Sequence, residues 1–260
     1  MPGSGPALAR HLAPPKRIVS LNLCADQLVL ALADRAQIAG LTRYAADPQM
    51  SAAAAQARGL TVMHGSAEEI MAIDPDLVIG MPARRSPAIA VLKARKYPAL
   101  DIKSPDDYPA ILRSIRDVAK AVGHPERGEA LIARMDRDLA SLPHGNTGKV
   151  AAYYQRRGYM TGTGTLIDDL MTRAGLVNLA GRLGKPALSQ MSLEEMVAAH
   201  PDFLIVDTAT DKVVDQGTAM MHHPVLDAIP RIGIPQAWTV CGGPAYVKAA
   251  KALSDRVNAR

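Results

Sequence analysis

Several signatures of common functions are missing from this sequence. No apolar run approaches the roughly 20 residues that a membrane-spanning helix needs, and a soluble chain is therefore predicted. The two cysteines, Cys24 and Cys241, lie far apart and outside any CxxC pair, and neither HxxxH nor HExxH spacing occurs. We therefore expect no zinc site and no directly held bare metal ion.

Aromatic residues and charge clusters are also scarce. Aromatic residues make up 3% of the 260 residues, so the core must consist mostly of Ala, Leu, Ile, Val and Met. The formal net charge is +5, but Lys and Arg are scattered among acidic residues and form no polybasic run or RNA-binding aromatic motif. Nucleic acid is therefore not an expected partner, whereas an anionic small molecule is compatible with this charge.

The chain begins with a segment that has no apolar core. Residues 1–16, rich in Pro, Gly and Ala, predict a flexible leader ahead of the first strand. A signal peptide would need a continuous apolar stretch, which this segment lacks. We expect that any signal peptide was removed or replaced, so its absence says little about export.

One stretch of sequence occurs twice. Residues 66–80 read SAEEIMAIDPDLVIG, and residues 192–207 read SLEEMVAAHPDFLIVD. Each copy places Ser at a helix N-cap position, acids in the first turn near the positive end of the helix dipole, and Pro-Asp before an apolar run. Each copy therefore predicts a short helix, a turn and a buried strand. The gapless alignment pairs Ser66 with Ser192, Glu68 with Glu194, Glu69 with Glu195, Pro75 with Pro201, and Asp76 with Asp202.

Strands and helices alternate in both halves of the chain. This alternation predicts an α/β fold of two similar parallel-sheet lobes, over residues 17–103 and 124–260. A helix is also predicted from Ala88 to Lys96. The strands that define the two halves are RIVSL (17–21), QIAGLT (37–42), KVAAYY (149–154) and AWTVC (237–241).

A helix is predicted between the lobes, over residues 104–123. Its apolar residues, such as Ile111, Ile115 and Val118, fall at helical spacing, and Gly123 stands where a C-cap glycine would. Because no Gly/Ser tether separates the halves, this long helix should bridge the lobes rigidly, with a ligand cleft between them.

These features together resemble the periplasmic substrate-binding proteins of iron-chelate and vitamin B12 ABC importers. The resemblance covers about Arg17 to Val257 and is carried by RIVSLNLCADQLVLALA, the two repeats, the interlobe helix and TGTGTLIDDLMTRAGLVNLA. It implies two α/β lobes bridged by a long helix, a periplasmic location, a monomer, no enzymatic activity and no covalently required cofactor. It also implies that the bound ligand is a metal chelate, an iron or cobalt complex.

The sequence also favours an order among such chelates. Arginine near the cleft suits an anion, which favours a ferric siderophore-like chelate. A corrinoid comes second, because corrinoid pockets in this family contain several Trp and this chain has only Trp238. Haem comes third, and its iron would be ligated by Tyr44, another cleft Tyr or His64.

Candidate ligand-binding residues follow from where ligands bind in parallel α/β sheets, at the carboxyl ends of the strands. The loops predicted there concentrate the Tyr and Arg of a chain that has few other aromatics. A solvated basic turn is the alternative interpretation for YYQRRGY. The candidates are Cys24, Arg43, Tyr44, His64, Met81, Arg84, Tyr154, Arg156, Arg157, Tyr159, Cys241 and Tyr246.

The resemblance also gives the repeat a function. In this family one Glu at the tip of each lobe docks into Arg pockets on a membrane permease dimer, and a two-fold symmetric partner requires the same acid twice. The matching residues are Glu68 and Glu194, with Glu69 and Glu195 as neighbours that could substitute. The alternative is that these acids only favour the helix dipole, by roughly 0.3 to 1 kcal/mol.

The two cysteines leave three interpretations open. Two buried small hydrophobic side chains are favoured, contact with the ligand or its metal comes second, and a disulfide comes third. A disulfide requires Cα atoms within about 7 Å and would pin the cleft shut against a large ligand. A function of another class, a thiol-dependent hydrolase, would use Cys24 at a helix N-terminus, but the nearby sequence offers no second catalytic group.

Overall fold

The first lobe is a five-stranded parallel sheet with helices packed against it. The computed structural model describes residues 13–80, 97–143 and 148–259, and the predicted Ala88–Lys96 helix lies outside them. The strand order is β3-β2-β1-β4-β5, with every pair parallel. The elements are β1 (Ile18–Ser20), α1 (Leu23–Leu32), β2 (Ile38–Thr42), α2 (Ala54–Ala57), β3 (Val62–Met63), α3 (Ala67–Ile73), β4 (Leu77–Gly80) and β5 (Ala99–Asp101).

Two helices follow the first lobe, α4 (Tyr108–Ala121) and α5 (Pro125–Ala140). The second lobe then contains a four-stranded parallel sheet and a two-stranded antiparallel ribbon. Its elements are β6 (Val150–Tyr153), β7 (Tyr159–Thr161), α6 (Leu166–Arg173), β8 (Val177–Asn178), α7 (Leu179–Arg182), β9 (Leu188–Gln190), α8 (Leu193–Ala199), β10 (Phe203–Asp207), α9 (Gln216–Ala219), β11 (Arg231–Ile234), α10 (Gln236–Thr239) and α11 (Tyr246–Asn258).

The two sheets share one strand order. In the first lobe the order β5-β4-β1-β2 runs from one edge, and in the second the order β11-β10-β6-β8 matches it strand for strand. The repeated segment supplies β4 in one sheet and β10 in the other. The prediction of two similar parallel-sheet α/β lobes is thus confirmed. The lobes differ at the next position, where β3 extends the first sheet but β9 pairs antiparallel with β7.

Both helices between the lobes connect them. The first, α4, packs against α1, while its Tyr108 ring lies 5.2 Å from the ring of Tyr246 in the second lobe. The second, α5, packs against both α4 and α11. The predicted bridge over 104–123 is therefore one of a pair.

The helix α4 begins at Tyr108 because the Asp107 carboxylate, rather than Ser104, caps it by accepting a hydrogen bond from the Ala110 N–H. Gly123 has a φ of 89°, as expected of a residue that ends a helix.

The start of each repeat is a helix cap. The Ser66 hydroxyl accepts a hydrogen bond from the Glu69 N–H, and the Glu69 carboxylate accepts one in return from the Ser66 N–H. The same reciprocal pair joins Ser192 and Glu195. Each is a capping box, which satisfies two N–H groups that the first turn of a helix leaves without partners.

The end of each repeat fastens a strand. The Asp76 carboxylate accepts hydrogen bonds from the backbone N–H groups of Lys16 and Arg17, directly before β1. The Asp202 carboxylate accepts one from the N–H of Val150, the first residue of β6. Each Pro-Asp pair therefore ties the strand of its repeat to the start of the central strand of its lobe. This contact also holds the last residues of the predicted leader against the first lobe.

The prediction that AWTVC forms the last strand is wrong. Its first residues lie in the short helix α10, and the last strand is β11. Pro235 directly follows β11 and cannot donate a backbone hydrogen bond to a sheet, so pairing ends there. The next N–H, of Gln236, donates instead to the Asp207 carboxylate at the end of β10. Within the described ranges, no helix is long and apolar enough to cross a bilayer.

Candidate functional site

A cavity of about 400 Å³ opens in the second lobe at the carboxyl ends of its strands. Tyr153 is the last residue of β6, Asp207 is the last of β10, and Gln236 begins the helix after β11. This is the edge of a parallel α/β sheet at which ligands bind. The lining residues are Tyr153, Gln155, Arg156, Thr161, Ile167, Asp207, Thr210, Met221, Gln236, Thr239 and Val240.

The polar groups of this cavity differ in the hydrogen bonds and ion pairs that they already form within the protein. One oxygen of the Asp207 carboxylate, Oδ1, accepts hydrogen bonds from the N–H groups of Ala209 and Gln236. The Tyr153 hydroxyl lies 3.5 Å from the Thr239 hydroxyl, and burial raises the pKa of Tyr153, so this phenol is neutral near pH 7. The Arg156 side chain forms an ion pair with Asp215 but remains half exposed. The cavity therefore presents a guanidinium, the Asp207 carboxylate, and neutral hydroxyl and amide groups.

The first lobe places an arginine and a tyrosine directly after β2. The Arg43 guanidinium donates a 2.6 Å hydrogen bond to the Tyr44 hydroxyl, and its central carbon lies 4.8 Å from the centre of the Tyr44 ring. Both contacts fix the orientation of the ring, which is 41% exposed. Tyr44 thus presents a fixed phenol oxygen at the carboxyl end of the first sheet.

The structure joins Cys24 and Cys241 in a disulfide, with a Cα–Cα distance of 5.2 Å. This outcome corrects three predictions: the cysteines are neither two free buried thiols nor ligand contacts through a thiol, and Cys24 cannot be the nucleophile of a hydrolase. The cavity beside the bridge, lined by Thr239 and Val240, lies in the second lobe. That the bridge pins the cleft between the lobes shut stays a prediction. Because Cys24 lies in the first turn of α1, shortly after β1, the bridge joins the carboxyl edge of the first sheet to the second lobe.

The predictions that Tyr154 and Tyr246 contact the ligand are wrong. Both are fully buried, and burial raises the pKa of Tyr154 to about 12. Tyr153 and Tyr154 are adjacent on an extended segment, so their side chains point to opposite faces and only one can reach the cavity. Tyr246 lies between the lobes, where its hydroxyl donates to the Asp169 carboxylate and accepts from the Arg173 guanidinium.

The remaining predicted residues have mixed outcomes. His64 is exposed, and its Nδ1 lies 3.1 Å from the capping carboxylate of Glu69. Arg157 has a left-handed backbone with a φ of 60° and lies outside the cavity, and Tyr159 is 37% exposed on β7. Met81 and Arg84 lie outside the described residues. The structure thus brings Arg156 into the cavity and pairs Arg43 with Tyr44, and it leaves the other ligand roles as predictions.

Most of the cavity lining was missed by sequence reasoning. Asp207 could have been found, because it directly follows FLIV, the buried strand of the second repeat. Gln236 and Thr239 are missed because the composition of AWTVC predicts a strand, which places the following loop too late in the chain. Thr210 and Met221 follow β10 at a distance that no pattern in the sequence marks.

The first acid of each repeat lies outside the capping box. Glu69 and Glu195 are the acceptors of the two capping boxes. The hydrogen bond from the Ser66 N–H, followed by those from His64, lowers the pKa of Glu69 to about 2. Glu68 and Glu194 are both exposed, and neither side chain forms an ion pair with another described residue. The capping boxes therefore account for the second acid of each pair. Of the first acids, Glu194 also interacts with its own N–H and with the Ser192 hydroxyl, which together lower its pKa.

Sequence comparisons relate the chain to named binding proteins. A cobalamin-binding protein of Halobacterium salinarum is 21% identical over 213 residues, which cover 80% of this chain and 58% of the relative, so the chain spans little more than half of that protein. A vitamin B12-binding protein of Pectobacterium carotovorum subsp. carotovorum is 24% identical and is matched over 94% of this chain and 89% of its own.

Structural comparisons give the same fold. The apo form of the periplasmic heme-binding protein RhuT from Roseiflexus sp. RS-1 superposes with a TM-score of 0.74 at 26% identity, covering 92% of this chain and 98% of that one. The periplasmic vitamin B12-binding protein BtuF of Vibrio cholerae superposes with a TM-score of 0.68 at 18% identity, covering 95% and 98%. The family model described as "Periplasmic binding protein" matches residues 18–230, most of the chain. The chain therefore belongs to the periplasmic binding protein family, whose members bind solutes rather than catalyse reactions.

Proposed function

We propose that this protein is the periplasmic solute-binding component of an ABC importer and that it carries a metal chelate. Family membership over residues 18–230 and the names of the relatives, which bind cobalamin, vitamin B12 or heme, support this proposal. The Cys24–Cys241 disulfide supports an oxidising compartment such as the periplasm.

Within this class the structure favours an iron chelate that has an open coordination position on the metal. Ferric haem is the typical example. The observation that carries this choice is the Arg43–Tyr44 pair, because a tyrosine oxygen is an established axial ligand of haem iron. The guanidinium holds the phenol ring in place, and the ferric ion would itself displace the phenol proton. Arg156, half exposed at the cavity, would pair with an anionic group of the chelate.

Absorption spectroscopy tests this choice. The apoprotein would be titrated with haemin, cyanocobalamin and a ferric hydroxamate, each alone. We expect haemin to bind with the spectrum of a tyrosinate-ligated ferric haem, and Tyr44→Phe to remove that spectrum and weaken binding by about tenfold or more, as loss of one bond to a charged group does. Tyr97→Phe, which removes a hydroxyl from a ring packed against the first-lobe core, is the matched control. Full retention of the haemin spectrum in Tyr44→Phe would exclude Tyr44 as the ligand.

A corrinoid is the second candidate, because both sequence relatives described above are named for cobalamin or vitamin B12. Cyanocobalamin has no need of a phenolate, so its binding should be unaffected by Tyr44→Phe. Tighter binding of cyanocobalamin than of haemin, with no effect of Tyr44→Phe, would establish this candidate and reject the haem proposal.

For delivery, we propose that Glu68 and Glu194 each dock into the permease, one per lobe. They are the acids of the repeat that the capping boxes leave free. In cells that import the chelate through this protein, Glu68→Gln combined with Glu194→Gln should abolish uptake while the purified variant keeps its ligand affinity. Glu126→Gln, an exposed acid on α5, is the control. Uptake unchanged in the double variant would contradict docking through these residues.

A further inference from the structure

The arginine that lines the cavity of the second lobe is paired with an acid from outside that cavity. The Nη2 group of Arg156 donates a hydrogen bond to Oδ2 of Asp215, and neither residue forms another ion pair within the described ranges. Arg156 lines the cavity of about 400 Å³, whereas Asp215 lines a neighbouring one of about 570 Å³. The ion pair therefore holds a positive charge of the candidate ligand cavity toward a group that is not part of its lining.

Asp215 does not depend on this ion pair for its own stability. Its other oxygen, Oδ1, accepts a 2.8 Å hydrogen bond from the N–H of Thr218, which makes Asp215 the N-cap of α9. This bond is the main cause of the lowered pKa of Asp215, and the charge of Arg156 contributes less to it. The carboxylate therefore stays ionised, and still caps the helix, when the guanidinium moves to another anion.

Arg156 has a fixed backbone and a movable side chain. It lies in the turn after β6, where the Gln155 N–H donates to the Tyr159 carbonyl and the Gly158 N–H donates to the Gln155 carbonyl. Its side chain is 52% exposed and contacts Asp215 through Nη2. Because water screens an ion pair of this exposure, the pair is weak and another anion can replace Asp215.

We propose that Asp215 competes with the anionic group of the ligand for Arg156, and so determines how strongly the protein prefers charged chelates to neutral ones. This competition rests on the proposed function, because the ligand is taken to be a chelate that brings an anionic group to Arg156. That group binds only when the guanidinium is released by Asp215, so the ion pair lowers the apparent affinity for a charged chelate. A neutral chelate has no need of the guanidinium, and its affinity is independent of Asp215.

Absorbance titrations with haemin and with its bis-amide, in which both propionate groups are converted to neutral amides, test this competition. Asp215→Asn removes the charge but keeps an oxygen that can cap α9, so the variant should fold as the parent does. It should bind haemin about three- to fivefold more tightly, the factor that corresponds to the loss of one exposed ion pair. The bis-amide should bind the variant and the parent with the same affinity.

Two further variants separate competition from a general effect of charge. Asp211→Asn is the matched control, because it removes one exposed acid from the same segment without breaking an ion pair among the described residues. It should leave haemin binding unchanged. In the Arg156→Gln background, Asp215→Asn should no longer tighten haemin binding, since no guanidinium is left to compete for.

The possible outcomes distinguish this competition from the proposed function. Haemin binding with the tyrosinate spectrum but without an effect of Asp215→Asn would overturn the competition and leave the haem proposal standing. The competition would also be wrong if the effect kept its size in the Arg156→Gln background, or if the bis-amide gained as much as haemin. No haemin binding to either protein would reject the haem proposal and the competition together.

Discussion

In both lobes an aspartate of the first helix accepts a hydrogen bond from a side chain at the end of a neighbouring strand, and the two aspartates are buried to different depths. In the first lobe the Asp26 carboxylate accepts from the hydroxyl of Thr42, at the end of β2, over 2.5 Å. In the second lobe the Asp168 carboxylate accepts from the amide of Asn178, at the end of β8, over 3.0 Å. Asp26 is fully buried, whereas Asp168 is partly exposed.

This difference shows how a duplicated scaffold divides its roles. The first-lobe helix α1 is packed tightly and carries the disulfide to the other lobe. The second-lobe helix α6 stays near solvent, and its Ile167 lines the cavity. The strand order is common to both lobes, and the lobe with the less buried first helix is the one whose residues line the cavity.

The largest expected effect comes from removing the link between the lobes. Cys24→Ser combined with Cys241→Ser should lower the free energy of unfolding by about 2 to 5 kcal/mol, since the bridge closes a very long loop of the unfolded chain. Urea denaturation of the variant and of the oxidised and reduced parent measures this effect. Equal midpoints for the oxidised and reduced parent would show that the bridge contributes nothing.

The second effect is a pH dependence that arises from Asp26. Burial raises its pKa from 3.8 to about 6, so the folded state holds this proton more strongly than the unfolded state. The free energy of unfolding should therefore fall between about pH 4 and pH 6, by up to roughly 3 kcal/mol, and change no further above that window.

Asp26→Asn isolates this contribution. The amide cannot ionise, so the free energy of unfolding of the variant should not fall with pH through this group. The difference in free energy of unfolding between variant and parent should therefore favour the variant more at pH 7 than at pH 4.5. Denaturation at those two pH values gives the comparison. The same slope in the variant and the parent would mean that another group causes it.

A smaller effect separates the two strand clamps. Asp76→Ala leaves two backbone N–H groups without their acceptor and should lower the free energy of unfolding by about 2 kcal/mol. Asp202→Ala leaves one such group and should lower it by about 1 kcal/mol. Thermal unfolding of both variants ranks them. A larger loss for Asp202→Ala would show that the clamp matters more in the second lobe than its single bond suggests.

The smallest effect should be the same in both lobes. Ser66→Ala and Ser192→Ala each remove one capping hydroxyl, and each should cost about 1 kcal/mol. Guanidinium denaturation of the two variants tests their equivalence. A clear difference would indicate that the two capping boxes are not interchangeable, for example because Glu195 also forms an ion pair with Lys185.

Sequence patterns predicted the fold well because the repeat carries local signals of known meaning. Ser at the cap, Glu three residues later and Pro-Asp before a β-branched run each have one dominant structural explanation, and each is realised twice. The error at AWTVC arose because β-branched and aromatic residues favour strands, whereas the proline before them and the Asp207 carboxylate determine what the backbone does there.

The site was harder to predict because its residues converge from distant parts of the chain. Composition locates the tyrosines but not the orientation of their side chains, so it cannot tell that Tyr153 lines the cavity and that its neighbour Tyr154 is buried away from it. The pairing of Cys24 with Cys241 could not be derived, since it depends on how α1 packs against the start of α11. The Arg43–Tyr44 contact, in contrast, joins adjacent residues and was within reach of the sequence.

The disulfide also constrains how the protein is made. Its cysteines are 217 residues apart, so at about 5 to 20 residues per second Cys24 is synthesised roughly 10 to 40 s before its partner. During that interval Cys24 has no intramolecular partner. Since the chain contains two cysteines, one intramolecular pairing exists, and a wrong bridge can form only between two molecules or with a foreign thiol. Oxidation errors in this protein should therefore appear as dimers and mixed disulfides, not as misfolded monomers.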